Sequence, residues 1–221
     1  PSIVYVAAIY LVIIGGVKKV GKIASYMVPC MCSFYVVGCI FILIKNAAAI
    51  PGAFALIFEG AFTAQAAVGG FMGAGVAAAM RLGFARSVYS NEAGWGTSPM
   101  IHASAKTDHP VKQGLMGAFE VFMDTIVVCS MTGLVVIVTG FWNSGLQGAT
   151  LTLTAFESGM GFFGRALIAV SIFLFGLTTS TGWFTYYSVI LKHWLGNRKK
   201  LLAIAEKIFI FGTPIWGMLV T

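Results

Sequence analysis

The sequence predicts an all-helical protein that crosses a membrane several times. Its 221 residues are 58% hydrophobic and 10% charged, a balance that no single aqueous core of this length can bury. The apolar residues form long runs, and about 20 such residues cross the hydrocarbon layer as a helix. Because short polar clusters divide these runs, we expect residues 1–221 to form one transmembrane domain.

Six runs are predicted to lie in the membrane. In chain order they cover residues 3–14, 23–44, 53–84, 115–138, 166–191 and 201–221. Glycine and proline mark several boundaries, such as Gly15-Gly16 after the first run and Pro51-Gly52 before the third. A polar loop is expected over residues 143–164. The first and last runs reach the ends of the sequence, so we expect a fragment truncated at both ends.

The basic residues predict the orientation of these spans. Of the 14 lysines and arginines, all except Lys45 and Arg165 lie in or beside the polar segments after the first, third and fifth spans. Segments enriched in this way are cytoplasmic. We therefore expect a multi-pass plasma-membrane protein of the bacterial inner-membrane type, and we attribute the net charge of +7 to topology and not to a nucleic-acid partner. The four cysteines lie in apolar runs without paired spacing, which favours packing roles.

The third span contains a glycine-rich segment. Gly69-Gly70 near its middle, followed by Phe71 and Gly75, predicts a helix that is broken near 69–71. Broken helices are tolerated in a bilayer where the freed backbone groups face protein or a wet cavity, and transporters bind ions and substrates at such ends. The alternative is a small-residue face for close helix packing. Gln65, a polar side chain deep in the same span, favours the break.

The fifth span carries four consecutive hydroxyl side chains, at residues 178–181, halfway along its length. Thr179 and Trp183 are one helical turn apart and share a face. A hydroxyl oxygen is a hard, neutral ligand suited to sodium, and a tryptophan could border a small apolar side chain. The alternative is that each hydroxyl bonds only to the carbonyl one turn back.

The fourth span contains two carboxylates, Glu120 and Asp124, which are predicted to share a face near its cytoplasmic end. Carboxylates are costly inside a membrane, so they are functional candidates. Glu120 could lie at the interface. Asp124 is predicted to join either a functional polar network or a structural hydrogen bond.

Residues 89–105 read YSNEAGWGTSPMIHASA, which resembles the pattern FSNEAGxGSAPxAHA of the alanine or glycine:cation symporter family. Further matches are TDHPV at 107–111, EVF at 120–122 and DTIVVC at 124–129. The resemblance extends over nearly the whole chain. It implies a leucine-transporter-type fold, in which two inverted five-helix repeats surround a central site. This chain would cover about core helices four to nine.

The resemblance also implies roles for individual residues. It places the predicted break in core helix six and the hydroxyl run in core helix eight. The residues expected to bind the amino acid are Gly69, Gly70, Phe71, Gly75, Thr179 and Trp183. Sodium is expected at Thr178 and Thr179. A polar network or gate is expected from Gln65, Asn91, Glu92 and Asp124, although Asn91 and Glu92 could instead form a polar cap.

The expected function is sodium-coupled symport of alanine or glycine by alternating access. Sodium would be the coupling ion, with no other cofactor or metal, and the partners would be the amino acid and membrane lipid without an obligate protein. One alternative is a proton-coupled carrier of the same fold, with Asp124 as the proton carrier. A membrane-embedded hydrolase using Ser90, His102 and Glu92 is disfavoured, because their segment lacks nucleophile-elbow or metal-ligand spacing. We therefore expect no enzymatic activity.

Overall fold

The computed structural model describes the backbone of residues 2–14, 16–62, 72–92, 94–103, 105–196 and 198–220. It describes their side chains except those at 2–3, 16–18, 61–62, 72–79, 199 and 213–220. Most of the described residues are helical, and none of them lies in a β-strand. The all-helical class predicted from the sequence is therefore confirmed.

Ten α-helices occur in the described part of the chain. They are α1 (Ser2–Ile13), α2 (Gly16–Lys45), α3 (Ile50–Phe62), α4 (Met72–Asn91), α5 (Thr97–His102), α6 (Pro110–Val121), α7 (Ser130–Val138), α8 (Gly148–Met160), α9 (Phe162–Leu195) and α10 (Lys199–Val220). A π-helical segment, Phe122–Cys129, joins α6 to α7. Short 3-10 turns cover Ala47–Ala49 and Phe141–Asn143.

Three helical stretches are long and apolar enough to cross a membrane, by length and composition. They are Lys19–Lys45, Pro110–Val138 and Phe162–Leu195. Each contains one of the spans predicted from the apolar runs and continues beyond it, as helices do when they extend past the hydrocarbon layer. These helices agree with the predicted membrane class.

The chain divides into two compact units, one formed by Pro1–Phe34 with Ala169–Thr221 and the other by Tyr35–Ile168. In the first unit, apolar side chains of α1 and early α2 pack against α9, and Phe209 of α10 borders this core. Lys19 Nζ donates to the Leu11 carbonyl at 3.0 Å, which satisfies a carbonyl in the last turn of α1. The buried core residues are Ile9, Val12, Ile13, Val20, Leu177 and Phe184.

The second unit has its core where the C-terminal half of α2 meets α7 and α8. Tyr35, Ile42, Val135 and Phe156 are buried there, and the rings of Tyr35 and Phe156 lie 5.7 Å apart. The Tyr35 hydroxyl forms a hydrogen bond of 2.6 Å with Thr132 Oγ1, so this buried polar group has a partner.

The prediction of a polar loop over 143–164 is wrong in its central part, because α8 occupies most of that range. Gly159 faces Ile42 of α2 so closely that a Cβ on the glycine would lie 2.8 Å from Ile42 Cγ1. Lys45 Nζ donates to the Gly159 carbonyl at 2.8 Å. Packing and hydrogen bonding with α2 therefore stabilise a helix whose threonines and glycines are weak helix formers by themselves.

Candidate functional site

The hydroxyl run of α9 contains two side chains that bond only within their own helix. Thr178 Oγ1 donates to the carbonyls of Leu174 and Phe175 at 3.1 and 3.0 Å. Thr181 Oγ1 donates to the carbonyls of Leu177 and Thr178 at 2.9 and 3.1 Å. Both hydroxyls thus have the back-bonded arrangement that is common for threonine inside a helix.

Thr179 and Ser180 differ from these neighbours. Ser180 Oγ lies 2.8 Å from the Tyr5 hydroxyl of α1. Thr179 is exposed, and its hydroxyl makes no hydrogen bond to any part of the chain that the structure describes. Trp183, one turn further along the same face, is 38% exposed, and its ring meets Tyr186 edge-on at 5.6 Å. This face of α9 therefore presents an available oxygen beside an aromatic surface.

The glycine-rich segment of the third predicted span falls mostly outside the described residues. Gln65, Gly69, Gly70 and Phe71 all lie there. Gly75 lies in α4, where the backbone alone is described. The expected break near 69–71 and the expected pocket residues of this segment thus stay predictions.

Two side-chain hydrogen bonds link the end of α4 to the π-helical segment, and Asp124 accepts one of them. Ser90 Oγ donates to Asp124 Oδ2 at 2.8 Å, and Thr125 Oγ1 donates to the same oxygen at 3.4 Å. Asn91 Nδ2 donates to Thr125 Oγ1 at 3.1 Å. A carboxylate in an apolar helix needs such donors to offset its desolvation. The cross-links tie two helices together through short side chains.

The π-helical segment explains how these side chains are placed. Its backbone bonds span five residues, so each turn is wider than in an α-helix, and such segments are frequent at functional sites. The spacing of Glu120 and Asp124 predicted a shared face. In the structure, Glu120 bonds to His102 of α5, whereas Asp124 bonds to Ser90 of α4. The two carboxylates therefore act in separate polar clusters.

A tight turn follows Asn91 at the end of α4. Glu92 has a φ of 54°, a left-handed conformation that is uncommon for a residue other than glycine. Gly94 and Gly96 also have positive φ values, of 87° and 82°, where glycine carries no steric penalty. Thr97 Oγ1 donates to Glu92 Oε2 at 2.8 Å and thereby fixes the glutamate across the turn. The described residues between α4 and α5, part of the motif of the sequence resemblance, thus form a structured turn beside the Asp124 cluster.

A cleft of about 710 Å³ opens next to these cross-links. Its lining includes Arg86, Ser90, Thr125 and Cys129, so residues that carry guanidinium, hydroxyl and thiol groups border the same space. The other lining residues are Gly83, Ala85, Ser87 and Tyr89. The polar cluster of the second unit is therefore accessible from this cleft in the described part of the chain.

A second polar cluster, centred on His102, was not predicted from the sequence. His102 Nε2 lies 3.0 Å from Glu120 Oε2, and His102 Nδ1 lies 2.7 Å from Gln113 Nε2. Gly117 lies against the ring, where a Cβ would be 3.4 Å from His102 Nε2. The signal was present in α6, because Gln113, Gly117 and Glu120 recur at helical spacing on one face.

Ser90 and His102, two of the three residues of the disfavoured hydrolase alternative, have different partners. Ser90 bonds to Asp124, and His102 bonds to Glu120 and Gln113. The described hydrogen bonds of Ser90 and His102 therefore do not connect a nucleophile to its base, as a hydrolase requires.

The sequence model described as the sodium:alanine symporter family matches residues 2–221. This is nearly the whole chain. The family is made up of transporters.

Several curated relatives are similar to the chain over most of its length. The uncharacterized transporter YflA of Bacillus subtilis is 42% identical over 76% of the chain. The probable sodium/glutamine symporter GlnT of the same species is 34% identical over 99% of the chain. The sodium/alanine symporter AgcS of Methanococcus maripaludis is 36% identical over 96% of the chain. The aligned regions cover 36%, 44% and 47% of these relatives, so the chain spans less than half of their length.

Proposed function

The chain belongs to the sodium:alanine symporter family, and on that premise we propose that the protein carries a small neutral amino acid, alanine or glycine, into the cell together with sodium. The observation that carries this proposal is the face of α9 on which Thr179 and Trp183 lie. Thr179 is exposed and without a hydrogen bond to the described residues, whereas Thr178 and Thr181 are satisfied within the helix. An exposed hydroxyl oxygen without a hydrogen bond to the described residues is available to coordinate sodium.

We assign Thr179 to both the sodium and the substrate sites, with Trp183 as a wall of the substrate pocket. Thr178 can contribute to sodium binding through the lone pairs that its back-bonds leave available. The glycine-rich segment, with Gly69, Gly70, Phe71 and Gly75, would complete the substrate site from core helix six. Gln65 would extend the polar network of that segment.

Transport would proceed by alternating access in a leucine-transporter-type fold of the plasma membrane, with this chain supplying about core helices four to nine. Coupling requires that sodium and the amino acid bind one conformation more tightly than the other. The cross-links of Ser90 to Asp124 and of Asn91 to Thr125 would act as the gate. Short hydrogen-bonded side chains of this kind can hold one arrangement and separate in another.

Uptake into proteoliposomes tests the proposal. The protein at its natural length would be purified and reconstituted, and labelled alanine, glycine and glutamine would be offered under an inward sodium gradient at fixed pH. We expect uptake of alanine or glycine that is lost when choline replaces sodium. Glutamine is included because one similar protein is named as a probable sodium/glutamine symporter.

A proton gradient without sodium is the matched control. Uptake driven by protons alone would contradict sodium coupling and would favour the proton-coupled carrier, with Asp124 as the proton-binding group. Glutamine uptake without alanine or glycine uptake would contradict the proposed substrate class while leaving sodium coupling in place.

A further inference from the structure

Tyr5 is the residue through which α1 contacts the hydroxyl run of α9. Its hydroxyl oxygen lies 2.8 Å from Ser180 Oγ, within hydrogen-bonding distance. Both side chains are partly buried, so solvent has limited access to this hydrogen bond. Ser180 immediately follows Thr179, whose hydroxyl has no such partner among the described residues.

The surroundings of Tyr5 fit this contact closely. A Cβ built on Gly176 would lie 3.0 Å from the Tyr5 hydroxyl oxygen, so the glycine leaves the space that the hydroxyl occupies. The Tyr5 ring meets Phe173 edge-on at 5.6 Å. Phe173, Gly176 and Ser180 recur at helical spacing, so Tyr5 covers one stripe of α9 over two turns.

Apolar side chains one and two turns after Tyr5 in α1 pack against the same part of α9. Ile9 and Ile13 belong to the buried core that contains Leu177 and Phe184. Apolar contacts are non-directional, whereas a hydrogen bond fixes the position of the two oxygens that form it. The Tyr5 hydroxyl therefore supplies a directional contact between α1 and α9.

We propose that Tyr5 is a positioning residue for the sodium and substrate site: through Ser180 it fixes the rotation of α9 that directs Thr179 and Trp183 to the site. This inference rests on the proposed function for the identity of the ligands. Tyr5 does not touch the ligands itself. It acts by holding the helix on which their contacts lie.

Sodium-dependent uptake by Tyr5→Phe and Ser180→Ala variants tests the inference. Tyr5→Phe keeps the ring and removes only the hydroxyl, and Ser180→Ala removes the other partner. Each is expected to raise the half-saturating sodium concentration about fivefold, the effect of one hydrogen bond, with little change in maximal uptake per transporter at the cell surface. The double variant is expected to match the single variants, because both remove the same interaction.

Tyr10→Phe is the matched control on the same helix. The Tyr10 hydroxyl also forms a hydrogen bond with a neighbouring helix, because it donates to the Phe211 carbonyl of α10 at 3.3 Å. This variant is expected to leave the half-saturating sodium concentration unchanged. Normal sodium dependence in both Tyr5→Phe and Ser180→Ala, or effects of the two that add, would overturn the inference. If Tyr5→Phe fails to reach the membrane, Ser180→Ala alone decides in the same way.

Thiol labelling separates this inference from the proposed function. With the native cysteines replaced, Thr179→Cys would be treated with a small methanethiosulfonate reagent with and without Tyr5→Phe. A change of about fivefold in the labelling rate is expected with Tyr5→Phe and none with Tyr10→Phe. Uptake that never depended on sodium would defeat the proposed function, whereas equal labelling rates with and without the Tyr5 hydroxyl would defeat the role of Tyr5.

Discussion

Replacing Thr179 with valine tests the proposed sodium site with a nearly isosteric change. The substitution exchanges the hydroxyl for a methyl group and keeps the β-branched shape. Thr179 is exposed and forms no hydrogen bond with the described residues, so the substitution removes none of the hydrogen bonds described here. A large effect on sodium dependence at normal surface expression is therefore the result expected if this oxygen contacts the ion.

The magnitude follows from the charge of the ligand. A neutral group that interacts with a charged partner contributes roughly 1.5 to 3 kcal/mol, and each 1.4 kcal/mol corresponds to about a factor of ten in affinity. We therefore expect Thr179→Val to raise the half-saturating sodium concentration by roughly ten- to hundredfold. The assay is uptake of labelled alanine against sodium concentration, normalised to transporter at the cell surface.

Thr181→Val is the control for this experiment. Thr181 belongs to the same hydroxyl run but is 3% exposed and donates to the carbonyls of Leu177 and Thr178. Because this hydroxyl is buried as well as bonded within its own helix, an ion in the proposed site would not reach it, and sodium dependence should change little. Unchanged sodium dependence in Thr179→Val, or an equal shift in Thr181→Val, would refute the reasoning.

Three further predictions address the pocket, the gate and the topology. Gly75→Ala should lower the alanine-to-glycine uptake ratio by about tenfold, because a one-methyl mismatch in an apolar pocket costs roughly 1 to 3 kcal/mol; an equal loss for both amino acids in competition assays would indicate a packing residue. Ser90→Ala removes a donor from Asp124, so rapid-mixing kinetics should show a transport rate altered about fivefold at unchanged half-saturating sodium; an unchanged rate would exclude this bond from the gate. External thiol labelling of intact cells should modify a cysteine at Ser158 but not at Lys106, and the reverse pattern would contradict the predicted orientation.

The membrane class and the family could be predicted because their signals lie in the order of the residues. Apolar runs long enough to span a bilayer require no knowledge of tertiary contacts. The motif at 89–105 likewise carries its family signal in the residues themselves. The spacing of Thr179 and Trp183 placed them on one face of a helix, and α9 is helical throughout that region.

Features that depend on neighbouring helices could not be predicted in this way. The alternation of threonine and leucine at residues 150–154 does not have the period of an amphipathic helix, yet α8 forms there because Phe156 and Gly159 pack against α2. Similarly, composition alone could not show which hydroxyl of α9 stays available. For Ser180 the difference depends on Tyr5, which is far away in sequence and bonds to the serine hydroxyl.

Equilibrium binding of labelled alanine to the purified protein, measured as a function of sodium at fixed pH, tests the central claim of sodium-coupled recognition most directly. Coupling between two ligands is reciprocal and typically changes affinity by about 5- to 150-fold. We predict that sodium raises the affinity for alanine by at least about tenfold and that alanine raises the affinity for sodium by the same factor. Equal alanine affinity in sodium and in choline would contradict the account.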